Sequence, residues 1–111
     1  MKDQAGSPPL ICKLDALAPE QRRKHQELSA QLLRSAGAVR EHKNGLAFQF
    51  SNEKSVLLQI TEFIADEQLC CPFLDFDVHI EPQKAQLQLR LTGPRDTRQF
   101  LQAEFADILQ S

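Results

Sequence analysis

An alternation of apolar and polar residues predicts five short strands, each buried on one face only. These segments are residues 10–14, 39–42, 46–50, 74–80 and 85–91. Asn44-Gly45, between the second and third segments, is typical of a two-residue hairpin turn. On the first segment Leu10, Cys12 and Leu14 share one face, so we expect the side chain of Cys12 to point inward.

Helical spacing of apolar residues predicts three helices, over residues 19–36, 53–71 and 94–109. Pro19 suits the first turn of the first helix, and Gly37 suits its end. Asn52 is a favourable cap for the second helix. Pro72 ends that helix, because the residue before a proline is pushed out of the helical region.

The resulting element order, β-α-β-β-α-β-β-α, predicts an α+β fold. We expect a two-layer sandwich with a mostly antiparallel sheet and helices on one face. The ferredoxin-like arrangement is the nearest common template. The other face of the sheet would be open to solvent or to a second copy in a homodimer. Residues 10–111 are predicted to form one domain, and residues 1–9, which are polar and proline-rich, a disordered lead-in.

Net charge and cysteine content indicate which classes of binding partner and which cellular compartment to expect. The 111 residues include 13 basic and 15 acidic side chains, a net charge of −2, which gives no electrostatic reason to expect nucleic acid or an anionic membrane as partner. The sequence has neither an apolar run near 18 residues nor a secretory leader pattern. Three cysteines fit a reducing compartment in which thiols stay free, so we expect a cytoplasmic protein.

Candidate chemistry concentrates at the end of the second helix, in the segment from Glu67 to Pro72. Cys70 and Cys71 are adjacent, and adjacent cysteines cannot readily close a disulfide with each other. Glu67 lies on the apolar stripe of the helix, where a carboxylate costs free energy unless it finds a partner. On the first helix His25 lies near the centre of the inward stripe.

The predicted topology brings these groups together, because the two long helices run antiparallel and the first strand leads to the same end of the domain. The converging residues are Cys12, His25, Glu67, Cys70 and Cys71. Three thiols with an imidazole and a carboxylate suit a soft or borderline ion such as zinc, copper(I) or mercury(II). The leading hypothesis is therefore a small protein that binds a metal ion or another small thiophilic ligand at these five residues.

Other interpretations of the same residues remain open. Cys12 can be a small buried hydrophobe, Glu67 can pair with Arg22 or Arg23, and His25 can be a hydrogen-bonded histidine at the edge of the core. A cysteine-dependent enzyme or a thiol redox sensor would use Cys70 or Cys71 with His25 as base and Glu67 as its orienting group. The partial negative charge of a helix C-terminus raises a thiol pKa and argues against a nucleophile there.

A third functional class is a protein–protein interaction module. It would use the sheet face that carries Gln86, Gln88 and Arg90, or an edge strand, to pair with another chain. The cysteines would then be structural.

Three motifs carry a resemblance to known proteins. They are Cys12-Lys13-Leu14-Asp15-Ala16-Leu17 followed by Pro19-Glu20 and residues 22–25, Glu67-x-x-Cys70-Cys71-Pro72-Phe73-x-x-Phe76, and Leu87-x-Leu89-x-Leu91-Thr92-Gly93-Pro94. In these motifs the chain resembles a group of short, functionally uncharacterised bacterial proteins, over nearly everything after residue 9. The resemblance implies an association with heavy-metal handling, mercury in particular.

Overall fold

The computed structural model describes residues 10–13 and 15–109, which form an α+β fold. Its strands are β1 (Ala38–His42), β2 (Gly45–Ser51), β3 (Asp75–Glu81) and β4 (Gln86–Thr92). Its α-helices are α1 (Pro19–Arg34), α2 (Lys54–Cys70), α3 (Thr97–Glu104) and α4 (Ala106–Leu109), and a 3-10 turn at Pro82–Lys84 joins β3 to β4. The strands form one sheet in the order β1-β2-β4-β3, and all three pairings are antiparallel.

One face of the sheet forms the core with the helices. Phe48 of β2 lies opposite Leu89 of β4, and both side chains are fully buried. Leu32 of α1 and Phe63 of α2 belong to the same buried cluster. The alternation that predicted half-buried strands is confirmed for β4, whereas β2 is buried continuously from Gly45 to Phe48. The predicted antiparallel sheet is confirmed.

The other face of the sheet is polar. Gln86, Gln88 and Arg90 of β4 alternate with the buried leucines and are half-buried. The Nε atom of Arg90 lies 3.6 Å from a carboxylate oxygen of Asp77 on β3. Pairs of this kind at an exposed surface contribute little to stability, so the apolar face accounts for most of the packing energy.

The predicted first strand is wrong. Residues 10–13 have no strand pairing, and Leu14 lies outside the described residues. The segment is attached instead to the end of α2, where the backbone N–H of Lys13 donates a hydrogen bond to the carbonyl of Cys70 at 2.6 Å. The observed element order is α-β-β-α-β-β-α-α, and the ferredoxin-like arrangement is not confirmed. The predicted lead-in at residues 1–9 also lies outside the described residues.

Several further boundaries differ from the prediction, and Glu53 rather than Asn52 is the N-cap residue of α2. The hairpin loop between β1 and β2 is Lys43-Asn44, and Gly45 is already the first residue of β2, without a positive φ. A Cβ atom on Gly45 would collide with the backbone carbonyl of Leu91, so close approach of two strands explains this glycine. The predicted last helix begins at Thr97 rather than residue 94 and is interrupted at Phe105, which separates α3 from α4.

The helices of the described residues include none that is both long enough and apolar enough to cross a bilayer. The longer ones, α1 and α2, pack against each other through one buried stripe each. Their polar faces carry surface ion pairs such as Arg23 with Glu27, at 2.7 Å.

Candidate functional site

The end of α2 places the predicted residues in two different surroundings. Ile60, Phe63 and Glu67 are the buried residues of α2, and their spacing of three and four keeps them on one face. Glu67 is therefore drawn into the core by the stripe to which it belongs. Cys71 follows the last helical residue and has a non-helical backbone (φ −123°, ψ 74°), as expected for the residue before Pro72.

Cys12 and Cys71 form a disulfide that links the N-terminal segment to the end of α2. Their Cα atoms are 4.6 Å apart, within the range that a disulfide spans, and 59 positions separate them in the sequence. Cys71 is buried in the core at 1% exposure, whereas Cys12 is half-buried. The expectation that all three thiols are free is wrong for this pair.

The metal-binding hypothesis is therefore wrong as well. A sulfur atom in a disulfide is not the thiolate that zinc, copper(I) or mercury(II) would require. The described residues contain no group of three or more histidine, cysteine or acidic side chains that could hold a metal ion. A shared ligand set of Cys12, Cys70, Cys71, Glu67 and His25 does not form.

Cys70 is the free cysteine of the described residues, and it is half-buried. Burial raises the pKa of its thiol, and the negative charges of Glu67 and Asp66 raise that pKa further, while Arg22 lowers it in part. The thiol is thus held in its protonated form near neutral pH, and a protonated thiol is a poor nucleophile. The direction of the shift agrees with the expectation of a raised thiol pKa at this helix end, and its causes are burial and nearby carboxylates.

His25 and Glu67 form the second pairing, a buried bridge between α1 and α2. Nε2 of His25 lies 2.6 Å from Oε1 of Glu67, and each side chain is 6% exposed. The imidazole also stacks on the ring of Phe63, with centroids 5.6 Å apart and ring planes at 24°. The prediction that Glu67 needs a partner is borne out, and His25 is that partner. Arg23, one of the alternatives, pairs with Glu20 and Glu27 at the surface.

The second imidazole nitrogen of His25, Nδ1, takes no part in the pairing with Glu67. Nδ1 of His25 is buried and has no hydrogen-bond partner among the described residues. A buried polar atom without a partner costs free energy whether it is a donor or an acceptor.

A cavity of about 320 Å³ borders this pair, between α1, the end of α2 and the two C-terminal helices. Glu104 of α3 faces the same cavity and is exposed as a residue, yet burial of its carboxyl and then the negative charge of Glu67 raise its pKa. Sequence reasoning missed Glu104, although it lies three residues after Leu101 and four before Ile108, a spacing that places it on the apolar side of this segment.

Glu67 connects the two pairings. Its backbone carbonyl accepts the N–H of Cys71 at 2.7 Å, and its side chain holds His25. The disulfide, the free thiol and the buried bridge therefore meet at the C-terminal end of α2.

Comparison with protein-family models, with curated proteins and with solved structures finds no match to this chain. The resemblance to short bacterial proteins stays a prediction.

Proposed function

We propose that this chain is a thiol–disulfide switch, in which Cys12 and Cys71 alternate between a disulfide and two thiols. The observation that carries the proposal is the Cys12–Cys71 disulfide, which ties an otherwise unpaired segment to the end of α2. A third cysteine, Cys70, lies directly beside it. The proposal is that the redox state of this pair governs the attachment of the segment.

The reaction balances with two equivalents of a small thiol such as glutathione. The first thiolate attacks the sulfur of Cys12, which is the more accessible of the two. The disulfide breaks, the Cys71 sulfur takes up a proton, and Cys12 carries a mixed disulfide. A second thiolate attacks the external sulfur of that mixed disulfide and releases Cys12. The small thiol is oxidised to its own disulfide, and the protein gains two thiols.

We propose that the protein is a redox sensor rather than a thiol–disulfide exchange enzyme. An enzyme of this kind needs an attacking cysteine with a lowered pKa and access to substrate. Cys71 is 1% exposed, and the pKa of Cys70 is raised by burial and by neighbouring carboxylates. Cys71 lacks access to a substrate, and Cys70 lacks a lowered pKa. The protein is therefore better suited to being oxidised and reduced by small thiols and their disulfides than to catalysing exchange.

Reduction would loosen a small and weakly held segment. Besides the disulfide, residues 10–13 are held by the hydrogen bond from Lys13 to Cys70 and by the packing of Leu10 and Cys12 on the core. One backbone hydrogen bond contributes only about 1 kcal/mol. In the cytoplasm, which we propose as the compartment, glutathione would keep the dithiol form as the resting state, and oxidation would fasten the segment.

The test is an equilibrium redox titration with glutathione, in which free thiols are trapped by alkylation and counted by mass spectrometry. We expect a single two-electron transition between one and three free thiols in the folded protein. Cys70→Ser should keep the transition and Cys12→Ser should abolish it. A disulfide that stays closed until the potential is well below about −300 mV would be a structural crosslink and would overturn the proposal.

A further inference from the structure

The strand β3 carries an apolar face that the helices leave uncovered. Phe76, Val78 and Ile80 lie on the same side of the sheet as the leucines of β4 that pair with them, and those leucines are fully buried. Val78 and Ile80 are nevertheless 39% and 43% exposed. The helix layer therefore ends before this strand, and the row of apolar side chains continues into solvent.

The outer side of β3 is open to pairing. β3 is the last strand in the sheet order, and no strand of residues 10–13 and 15–109 lies beyond it. Alternate backbone N–H and C=O groups of such a strand point away from the sheet and offer a template for another strand. The usual protection of an edge is missing here, because the seven residues of β3 contain no proline or lysine and pair with β4 without a bulge.

The apolar residues of β3 match each other when two copies of the strand run antiparallel. Val78 is the central residue of the strand, and a two-fold axis there places it opposite Val78 of the partner subunit. Phe76 then lies opposite Ile80 of the partner subunit, and the axis repeats this pair. All apolar residues of the strand thus meet apolar residues on the core side of the sheet.

The polar side of the same register pairs a carboxylate with an imidazole. Asp77 lies opposite His79 of the partner subunit, and this pair also occurs twice. An imidazole N–H donates to a carboxylate in either protonation state of the ring. Asp77 already has Arg90 of its own chain at 3.6 Å, and a carboxylate has acceptor sites for a second donor.

Charge favours this register over its neighbours. An axis at Asp77 would set two copies of that carboxylate against each other, and an axis at His79 would set Asp77 against Glu81 of the partner subunit. With the axis at Val78, like charges meet only where Asp75 lies opposite Glu81 of the partner subunit, at the ends of the strand. Lys84 lies 3.6 Å from Glu81 and offsets its charge there.

From these observations we infer that two copies of this chain associate through β3, antiparallel and with the two-fold axis at Val78, so that two four-stranded sheets become one sheet of eight strands. The interface is the edge of the sheet, whereas the homodimer expected from the sequence would use its open polar face. The inference does not depend on the proposed redox function.

Sedimentation equilibrium of the Cys70→Ser protein tests the association. The substitution removes the free thiol, so that a disulfide between two chains does not imitate the dimer. One chain has a mass of 12.6 kDa, and we expect a reversible transition to about 25 kDa. A Kd of about 10 μM is expected, because one pair of strands gives an interface at the small end of the range for stable complexes.

Two matched variants locate the interface. Val78→Lys places two positive charges at the two-fold axis and should weaken the dimer at least about tenfold. Val39→Lys makes the same change on the core side of β1, the other edge strand, where Val39 is 42% exposed, and it should leave the Kd unchanged. Circular dichroism confirms that both variants are folded.

Three results would overturn the inference. They are a single-chain mass up to about 200 μM, a dimer that Val78→Lys does not weaken, and an equal loss of the dimer in folded Val39→Lys. The second result would place the contact on another surface, such as the open polar face.

Hydrogen exchange of the β3 amides, followed by NMR, gives an independent measurement. A single chain protects only the alternate amides that face β4, whereas the dimer also protects those that face the partner. We expect the protection of this second set to rise with protein concentration. Protection of the second set that is independent of concentration would mean that the same chain covers the edge, and it would contradict the inference.

Discussion

Reduction of the Cys12–Cys71 disulfide should lower the free energy of unfolding by about 4 kcal/mol. The magnitude follows from the length of the loop that the disulfide closes. The two cysteines are 59 positions apart, and closing a loop of that length in the unfolded chain removes entropy worth about 4 kcal/mol at 25 °C. The disulfide stabilises the native state because it lowers the conformational entropy of the unfolded state.

Direct losses in the native state should be small by comparison. After reduction Cys71 remains a small buried side chain in the core, and only the short segment that carries Cys12 is loosened. A domain of this size has a total stability of about 5–15 kcal/mol, so a loss of about 4 leaves it folded but much closer to unfolding. The oxidised and reduced forms should therefore differ strongly in stability and only locally in structure.

Urea unfolding, followed by circular dichroism with and without a reductant, measures the difference. With a slope of about 1.5 kcal/mol per M, the midpoint should fall by about 2–3 M on reduction. Cys70→Ser should show the same fall, since that residue is outside the disulfide, and Cys12→Ser should show no response to the reductant. A fall of less than about 0.5 M in the native sequence would refute the reasoning.

Three further perturbations have defined outcomes. Glu67→Leu leaves the buried imidazole without its hydrogen-bond partner and should lower the free energy of unfolding by about 1–3 kcal/mol, whereas the exposed control Glu62→Leu should change it by at most about 0.5. Gly45→Ala forces a Cβ atom against the backbone of β4 and should cost at least about 2 kcal/mol, while Gly37→Ala, with only one carbonyl oxygen at 3.9 Å, should be tolerated. The folded state raises the pKa of Glu104, so that residue contributes stability below its unfolded pKa, and this stability is lost as the pH rises through the folded pKa. Glu104→Gln should therefore match the native sequence near pH 4 and become the more stable of the two toward pH 7.

The midpoints of urea unfolding measure all three of these stability changes. Equal midpoints for the two glutamate-to-leucine variants would show that the buried bridge contributes no net stability. Equal midpoints for the two glycine variants would show that the strands can separate to admit a methyl group. A stability difference for Glu104→Gln that does not grow with pH would mean that the carboxyl is not desolvated in the folded protein.

The sequence predicts the central sheet well because burial on one face leaves a direct pattern. Leu89 is apolar and buried while its chain neighbours Gln88 and Arg90 are polar, since β4 has one face in the core. The same reasoning fails at residues 10–14. Alternation over five residues cannot distinguish a strand from an extended segment, because the difference lies in whether a sheet edge is available to pair with it. Here the segment pairs with the end of a helix instead.

The predicted topology correctly places the candidate residues near each other, but it does not show which cysteine bonds to Cys12. Antiparallel helices bring His25 to Glu67, and both lie on stripes that the spacing already marks as buried. For the cysteines, the spacing shows only that Cys70 and Cys71 cannot readily bond to each other. Which of them faces Cys12 depends on the backbone turn before Pro72, which carries Cys71 into the core.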